Sequence, residues 1–451
     1  NINLLTPLIL TSLQVPSISS MNSSRSSRPQ AGGDAKSGLV PSVGMGKFNL
    51  TYGLGRAFGS VEDRKKNFCF NGIGGVGGKL YQTRGPSDGV SKRCKKPVGL
   101  TFNEEFRKMF QDYLALENAN PGDGQAKYGK AKDWDTSRVT KMEYLFVDVN
   151  NNFAQVLGAA TFIEDISGWD VSNVTSMEGM FTGAIKFNHN LDKWADKTGK
   201  VTNMRYMFGY DYELSEFNNG ETPGVNAGAT LTLDTSQVTN MEGMFVNTQG
   251  FNQELAFSST GKVTNMNYMF YGASNFNSGK AAGVGASVSG LRNWDTSQVT
   301  SMYGMFDRAT SFNEPIGSWK TGKVTDMVNM FRQAAAFDQD ISDWDTSQAT
   351  DMSGMFHTAL AFNKDISNWN VSKVTNMFQM FENAEKFNND GQSLNAWSVY
   401  NVTNFSEFAR AAIAFNVDIS KWYVNRGKRF DRMFTGATAF DRDLSGWKIS
   451  N

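Results

Sequence analysis

Four side chains dominate any search for chemistry in this sequence, and each stands without company. The only histidines, His189 and His357, lie far apart, and the only cysteines, Cys69 and Cys94, precede the regular part of the chain. No zinc spacing and no Cys–His nucleophile can be assembled from them. The two cysteines would pair as a disulfide where the chain meets an oxidising compartment. Between them, NGIGGVGGK (71–79) matches G-x-G-x-x-G at Gly72, Gly74 and Gly77. A dinucleotide-binding loop of that kind follows a strand and opens a helix. Neither is evident here, so the run reads as a flexible turn.

Carboxylates offer the second candidate chemistry. Asp165, Asp340, Asp365, Asp418 and Asp443 each precede an Ile or Leu, while Asp135, Asp170, Asp295 and Asp345 each follow a Trp. Two stacked Asp columns could hold Ca²⁺, which takes several oxygen ligands. Ala195, Lys320, Asn190 and Pro315 interrupt the columns, and no 12-residue calcium loop occurs. Capping of turns is therefore the expected role of these aspartates. Neither metal, cofactor nor catalysis is expected.

The elements that must position these residues are repeats. All ten Trp and 18 of the 21 Met fall in fixed columns of one frame, W-D-T/V-S-x-V-T-x-M-x-x-M-F-x-x-A-x-x-F-N-x-D-I-S-x. Chance would not confine two rare residue types in this way. The frame runs from Trp134 to the end, as about eleven units and a closing fragment, with Leu233 and Phe257 in Trp positions. Within one unit the apolar positions 302, 305, 306, 309 and 312 predict a short helix, with Thr300 or Ser297 as its N-cap. FDQDISDW (337–344) predicts an extended rung that would stack on its neighbours about 4.8 Å away. One such unit cannot bury its own Trp, Met and Phe, so Trp294, Met302, Met305, Phe306, Phe312, Trp344 and Trp369 are expected in a core closed by stacking. Asn313, Asn363 and Asn388 read as turn residues with internal hydrogen bonds.

This frame closely resembles the repeat of BspA-like leucine-rich-repeat surface proteins, and WNVSKVTNMFQMFENAEKFN (369–388) fits it almost position for position. The resemblance covers roughly 134–451. It implies a repeat solenoid, leucine-rich-repeat-like and α/β, with a short helix plus an extended rung per turn. It also implies extracellular or cell-surface adhesion and protein binding, and it carries no catalytic residues.

The rest of the chain divides around that array. Residues 1–60 are Ser/Gly-rich and expected as a poorly ordered or extended arm, with the apolar run 3–13 a candidate targeting remnant. Residues 61–101 form a small basic Gly/Cys-containing segment. Residues 102–133 supply a helical cap and linker, on the apolar stripe at 102, 106, 109, 110 and 113–114. The chain has a formal net charge of zero, yet residues 1–100 hold 14 Lys/Arg against 4 Asp/Glu, so a basic arm precedes an acidic body. No segment is expected to cross a membrane.

Interruptions of the frame mark candidate binding positions. Insertions at 218–231, 277–290 and 388–393 enter at one point of the repeat, which would place them on one side. Asn219, Glu221, Asn226, Ser278, Lys280, Ser287, Asn389 and Asp390 are the candidate rim. Lys92, Arg93, Lys95, Lys96, Arg426, Lys428, Arg429 and Arg432 are candidate basic docking residues. The expected function is non-enzymatic recognition of protein or glycan at the cell surface. The alternative is a structural subunit of a larger assembly whose basic arm docks neighbouring copies or partners. Nucleic acid is not an expected partner, and organelle targeting would follow if Met21 were the start.

Overall fold

The computed structural model describes residues 101–209, 214–224, 230–280 and 290–449. Cys69, Cys94, Lys92, Arg93, Lys95, Lys96, Asn226 and Ser287 therefore lie outside the described residues.

Helix α1, Phe102–Ala119, starts at a capping box: the Glu104 amide donates to Thr101 Oγ1, and Thr101 N–H donates to Glu104 Oε2 at 2.7 Å. Its spacing puts Phe106, Met109, Phe110, Tyr113 and Leu114 on one buried face. That face packs edge-on against the first two indoles, with Phe106 5.6 Å from Trp169 and Tyr113 5.3 Å from Trp134. The helix thus covers the first repeat's interior, and a short helix α2, Asp123–Tyr128, follows it.

From there each repeat lies against the next. Counting Trp294 as position 1, Ser301 is position 8, and this position makes one parallel bridge per neighbour through eleven residues from Lys141 to Arg429. Around it the main chain is spent between repeats: Thr300 N–H donates back to the Thr264 carbonyl, while Met302, Gly304, Phe306 and Arg308 donate forward to Asp326, Val328, Met330 and Arg332. The rings follow the backbone. Trp294 stacks on Trp319 at 6.1 Å, Trp319 on Trp344 at 6.4 Å and Phe306 on Phe331 at 5.7 Å. Trp294, Met302, Met305, Phe306, Phe312, Trp344 and Trp369 are all buried.

Two further columns tie the repeats. The indole N–H of Trp319, Trp344 and Trp369 donates back to the carbonyls of Leu291, Ile316 and Ile341, so the Trp column is hydrogen-bonded as well as packed. At position 20 a side-chain oxygen of each Asn or Asp accepts the amide of its successor: Asn313 takes Asp338, Asp338 takes Asn363 and Asn363 takes Asn388.

Among the described residues the expected helix of each repeat is absent, which corrects the reading of spacing alone. Position 11 has φ between +51° and +62° in all eleven repeats, from Tyr144 through Gly304 to Arg432, and position 15 repeats the excursion at Arg308, Gln333 and Thr358. A right-handed helix needs negative φ at every residue, so 302–312 turns as a chain of tight corners instead. Thr300 caps nothing; its hydroxyl donates to the Thr264 carbonyl. The expected rung moves too. FDQDISDW holds no strand, and the hydrogen-bonded ladder runs through the Thr-x-Met segment where the helix was expected. Among the described residues, strands at the rung position occur only in two irregular repeats, β3 Thr230–Leu233 pairing in parallel with β4 Glu254–Phe257. An upstream insertion forms a two-residue antiparallel pair, β1 Val147–Asp148 with β2 Ala154–Gln155.

Candidate functional site

Interior positions keep their residue types from turn to turn, so function is sought where types change on an unchanging backbone. Positions 10–15, just after the ladder bridge, are such a face. Position 14 gives one row across five turns: Asp307, Arg332, His357, Glu382 and Arg410. Arg332 approaches Asp307 Oδ2 at 3.4 Å, Arg410 pairs with Glu382, and His357 Nδ1 lies 3.8 Å from Glu382 Oε2. Position 11 adds Glu407, 3.4 Å from Arg432.

Burial sets the electrostatics of this row. Asp307 and Glu382 are each 2% exposed. Asp307 Oδ1 and Glu382 Oε2 have no hydrogen-bond partner among the described residues. Removal from water disfavours a carboxylate, and it pushes Asp307 up to about 7 against the pull of Arg332 and Arg308. Burial, then the Glu407 charge, raises Glu382 despite Arg410. Burial, then Arg332, lowers the His357 imidazole to about 4, so it is neutral at pH 7. Burial thus resists charge at three of the five positions, Asp307, His357 and Glu382.

The amino-terminal half of the same face is built differently. Arg205 bridges Glu178 and Glu242 at 3.0 and 3.1 Å, Tyr144 donates to Glu178 at 2.7 Å, and Tyr206 donates to Glu242 at 3.3 Å. Downstream Tyr268 packs 4.9 Å from Tyr303 and 5.8 Å from Tyr271. Within the charged part, a cavity of about 260 Å³ opens beside Asn329, Arg332, Ser353, Gly354, His357 and Phe378.

The predicted rim is brought together only in its backbone. Asn219, Ser278 and Asn389 begin the three insertions at φ +52°, +46° and +51°. All three are buried, at 1%, 3% and 0% exposure, and so do not line an exposed rim. Asn219 accepts the Leu191 amide and Asn389 the Ile366 amide, each holding the base of its loop. Glu221 and Lys280 are half-buried, with amides bonded to Asn218 and Asn277, while Asp390 is exposed. The basic residues of the last turn also disperse. Arg426 reaches Asn401 and lies over the Tyr400 ring, Arg429 pairs with Asp431, Arg432 with Glu407, and Lys428 is exposed.

The Asp columns cap turns. Asp295 accepts the Ser297 amide at 3.1 Å and Asp340 the Ser342 amide at 3.0 Å, and these Ser contacts hold both carboxyls below their usual range. Among the described residues no group of three or more His, Cys, Asp or Glu could hold a metal ion. His189 contacts the Ile163 carbonyl. His357, isolated in the linear sequence, gains its neighbours from units 25 residues away. Reading position 14 down successive repeats is the signal that would have found the row.

The chain belongs to the family described as "Mycoplasma protein of unknown function, DUF285", which matches residues 104–226, 227–282, 280–393 and 391–451. It is a repeat protein. No curated protein and no solved structure matches it. Among the described residues no helix is long and apolar enough to cross a membrane.

Proposed function

We propose that this repeat protein is a non-enzymatic recognition protein, a solenoid of leucine-rich-repeat-like kind akin to BspA-like surface proteins. It binds a protein or glycan on the face formed by positions 10–15, outside the cell or at its surface. One observation carries the reading. At position 10 the residues run Glu242, Asn267, Tyr303, Val328, Ser353, Phe378, and at position 14 Tyr271, Asp307, Arg332, His357, Glu382, Arg410, while the Met and Phe columns beneath stay fixed in every one of these turns but the last, where Phe405, Phe408 and Ala409 stand in them. Side chains that vary on a fixed ladder give each turn a separate contact, as ligand faces of stacked repeats require. The polar groups of this face pair with one another and form no nucleophile–base arrangement, which favours binding over catalysis. The surface location is supported by the resemblance alone.

Site-specific photo-crosslinking of the full chain tests this. A crosslinker in place of Phe378, incubated with intact cells, is expected to capture a partner that the same group in place of the exposed Lys373 does not. Equal capture at both positions would remove the ladder face from the account.

A further inference from the structure

The cavity beside Gly354 has three filled counterparts in the same molecule. At position 11 the residues alternate Tyr144, Gly179, Tyr206, Gly243, Tyr268, Gly304, and each tyrosine ring lies over the glycine of the next turn. A Cβ added at Gly179 would sit 2.3 Å from the Tyr144 ring, at Gly243 2.2 Å from Tyr206, and at Gly304 2.9 Å from Tyr268. The glycine leaves a notch, and the preceding tyrosine fills it. In two of the three, the phenol then donates to the position-10 carboxylate beside the glycine, Glu178 or Glu242. The next pair breaks the pattern: Gly354 keeps the notch, but Asn329 stands where the tyrosine would be.

Asn329 Oδ1, 2.1 Å from a Cβ built on Gly354, takes the place directly over the glycine as the tyrosine rings do, but the side chain is shorter than tyrosine and does not extend to where a phenol would reach. Position 10 beside the notch is the small Ser353 in place of Glu178, Glu242 or Tyr303, which leaves more room next to it. The result is the cavity of about 260 Å³, whose lining includes Phe378, Arg332 and His357. Drug-sized ligands occupy pockets of about 300–1,000 Å³, and this one suits a single side chain. A neutral imidazole and a guanidinium beside an aromatic wall favour a flat ring with a polar tip.

We propose that the Gly354 notch takes a tyrosine side chain of a protein partner, which completes from outside the column that Tyr144, Tyr206 and Tyr268 complete from within. This rests on the reading of the ladder face as the recognition surface and names the chemistry of its partner. A tyrosine is favoured over a sugar ring because the fold itself seats a phenol in the equivalent place three times.

Asn329→Tyr supplies the occupant in cis. Position 11 already holds tyrosine at φ +51°, +52° and +56°, and Asn329 sits at +56°, so the backbone accepts the change. Saturation-transfer NMR on the full chain, with N-acetyl-tyrosinamide as probe, is expected to show contact in the wild type. The apparent affinity should fall at least about tenfold in Asn329→Tyr, while the thermal midpoint of the variant rises. Phe378→Ala should weaken the probe without filling the notch. Equal signals from N-acetyl-tyrosinamide and N-acetyl-leucinamide overturn the proposal, as does probe binding that survives Asn329→Tyr. So does a preference for methyl β-glucoside. Capture at Phe378 in the crosslinking experiment, with any of these negative results, would leave the recognition face standing and remove only its tyrosine partner.

Discussion

The two halves of the ladder face solve one problem with different chemistry. Around Arg205, both glutamates stay partly exposed and the arginine sits between them, with side-chain exposures of 22%, 35% and 19%. Around Glu382 and Asp307, the carboxylates are buried and their cations reach in from the side, Arg410 being 39% exposed against 3% for Glu382. The first arrangement keeps water as a shared partner. The second gives up hydration and leaves carboxylate oxygens without a hydrogen bond. A ladder with fixed backbone geometry tolerates both, so the difference lies in what each turn presents outward.

The largest expected contrast comes from removing one cation. Arg410→Met should cost about 2–3 kcal/mol, below the usual figure for breaking a fully buried pair because Arg410 itself is partly exposed. Arg205→Met should cost about 1 kcal/mol or less, since its glutamates regain water. Denaturant unfolding of both variants measures the gap, and equal losses would mean that burial does not distinguish the two clusters.

A pH series sharpens the same comparison. Asp307 is raised in the folded state to about 7, so its contribution is fully present below its unfolded value near 4 and is lost as pH rises through 7. His357 is lowered to about 4, so the stability held by its neutral form is present above its unfolded value near 6.5 and is lost as pH falls through 4. Between pH 4 and 6.5 the two slopes oppose. Asp307→Asn should remove the Asp307 slope and leave those of His357 and Glu382, so that the thermal midpoint of the variant gains on the wild type as pH rises from 4 to 7. A variant that still loses stability between pH 6 and 8 would place that transition elsewhere.

The smallest effect contrasts the Trp columns of the regular and interrupted regions. Trp344 donates to the Ile316 carbonyl, whereas the buried Trp294 Nε1, which follows the insertion 277–290, has no hydrogen-bond partner among the described residues. Trp344→Phe should therefore cost about 1 kcal/mol more than Trp294→Phe, readable as the difference between their urea midpoints.

Much of this arrangement was legible from residue types alone. The Trp, Met and Phe columns and the stacking they demand follow from recurrence at fixed spacing. The local backbone did not follow, because inward positions three and four apart fit a helix and a chain of tight turns equally. Gly179, Gly243, Gly304, Gly354 and Asn329 at position 11 were the discriminating signal, being the types that reach positive φ most readily. The site was less legible than the fold. Asn219, Ser278 and Asn389 look like loop residues in sequence but are buried in space, and the two asparagines hold the bases of their loops. His357 looked solitary because its neighbours are 25 and more residues away.

The backward reach of each indole has a consequence for how such a chain can change length. Trp319 takes the Leu291 carbonyl and Trp344 takes that of Ile316. Excising residues 319–343 would offer Trp344 the very atom that Trp319 uses, and the asparagine at 313 would meet Asn363 instead of Asp338. Whole units can thus be lost or duplicated without leaving a broken bond at the seam. A shift of one residue would put every column out of step at once.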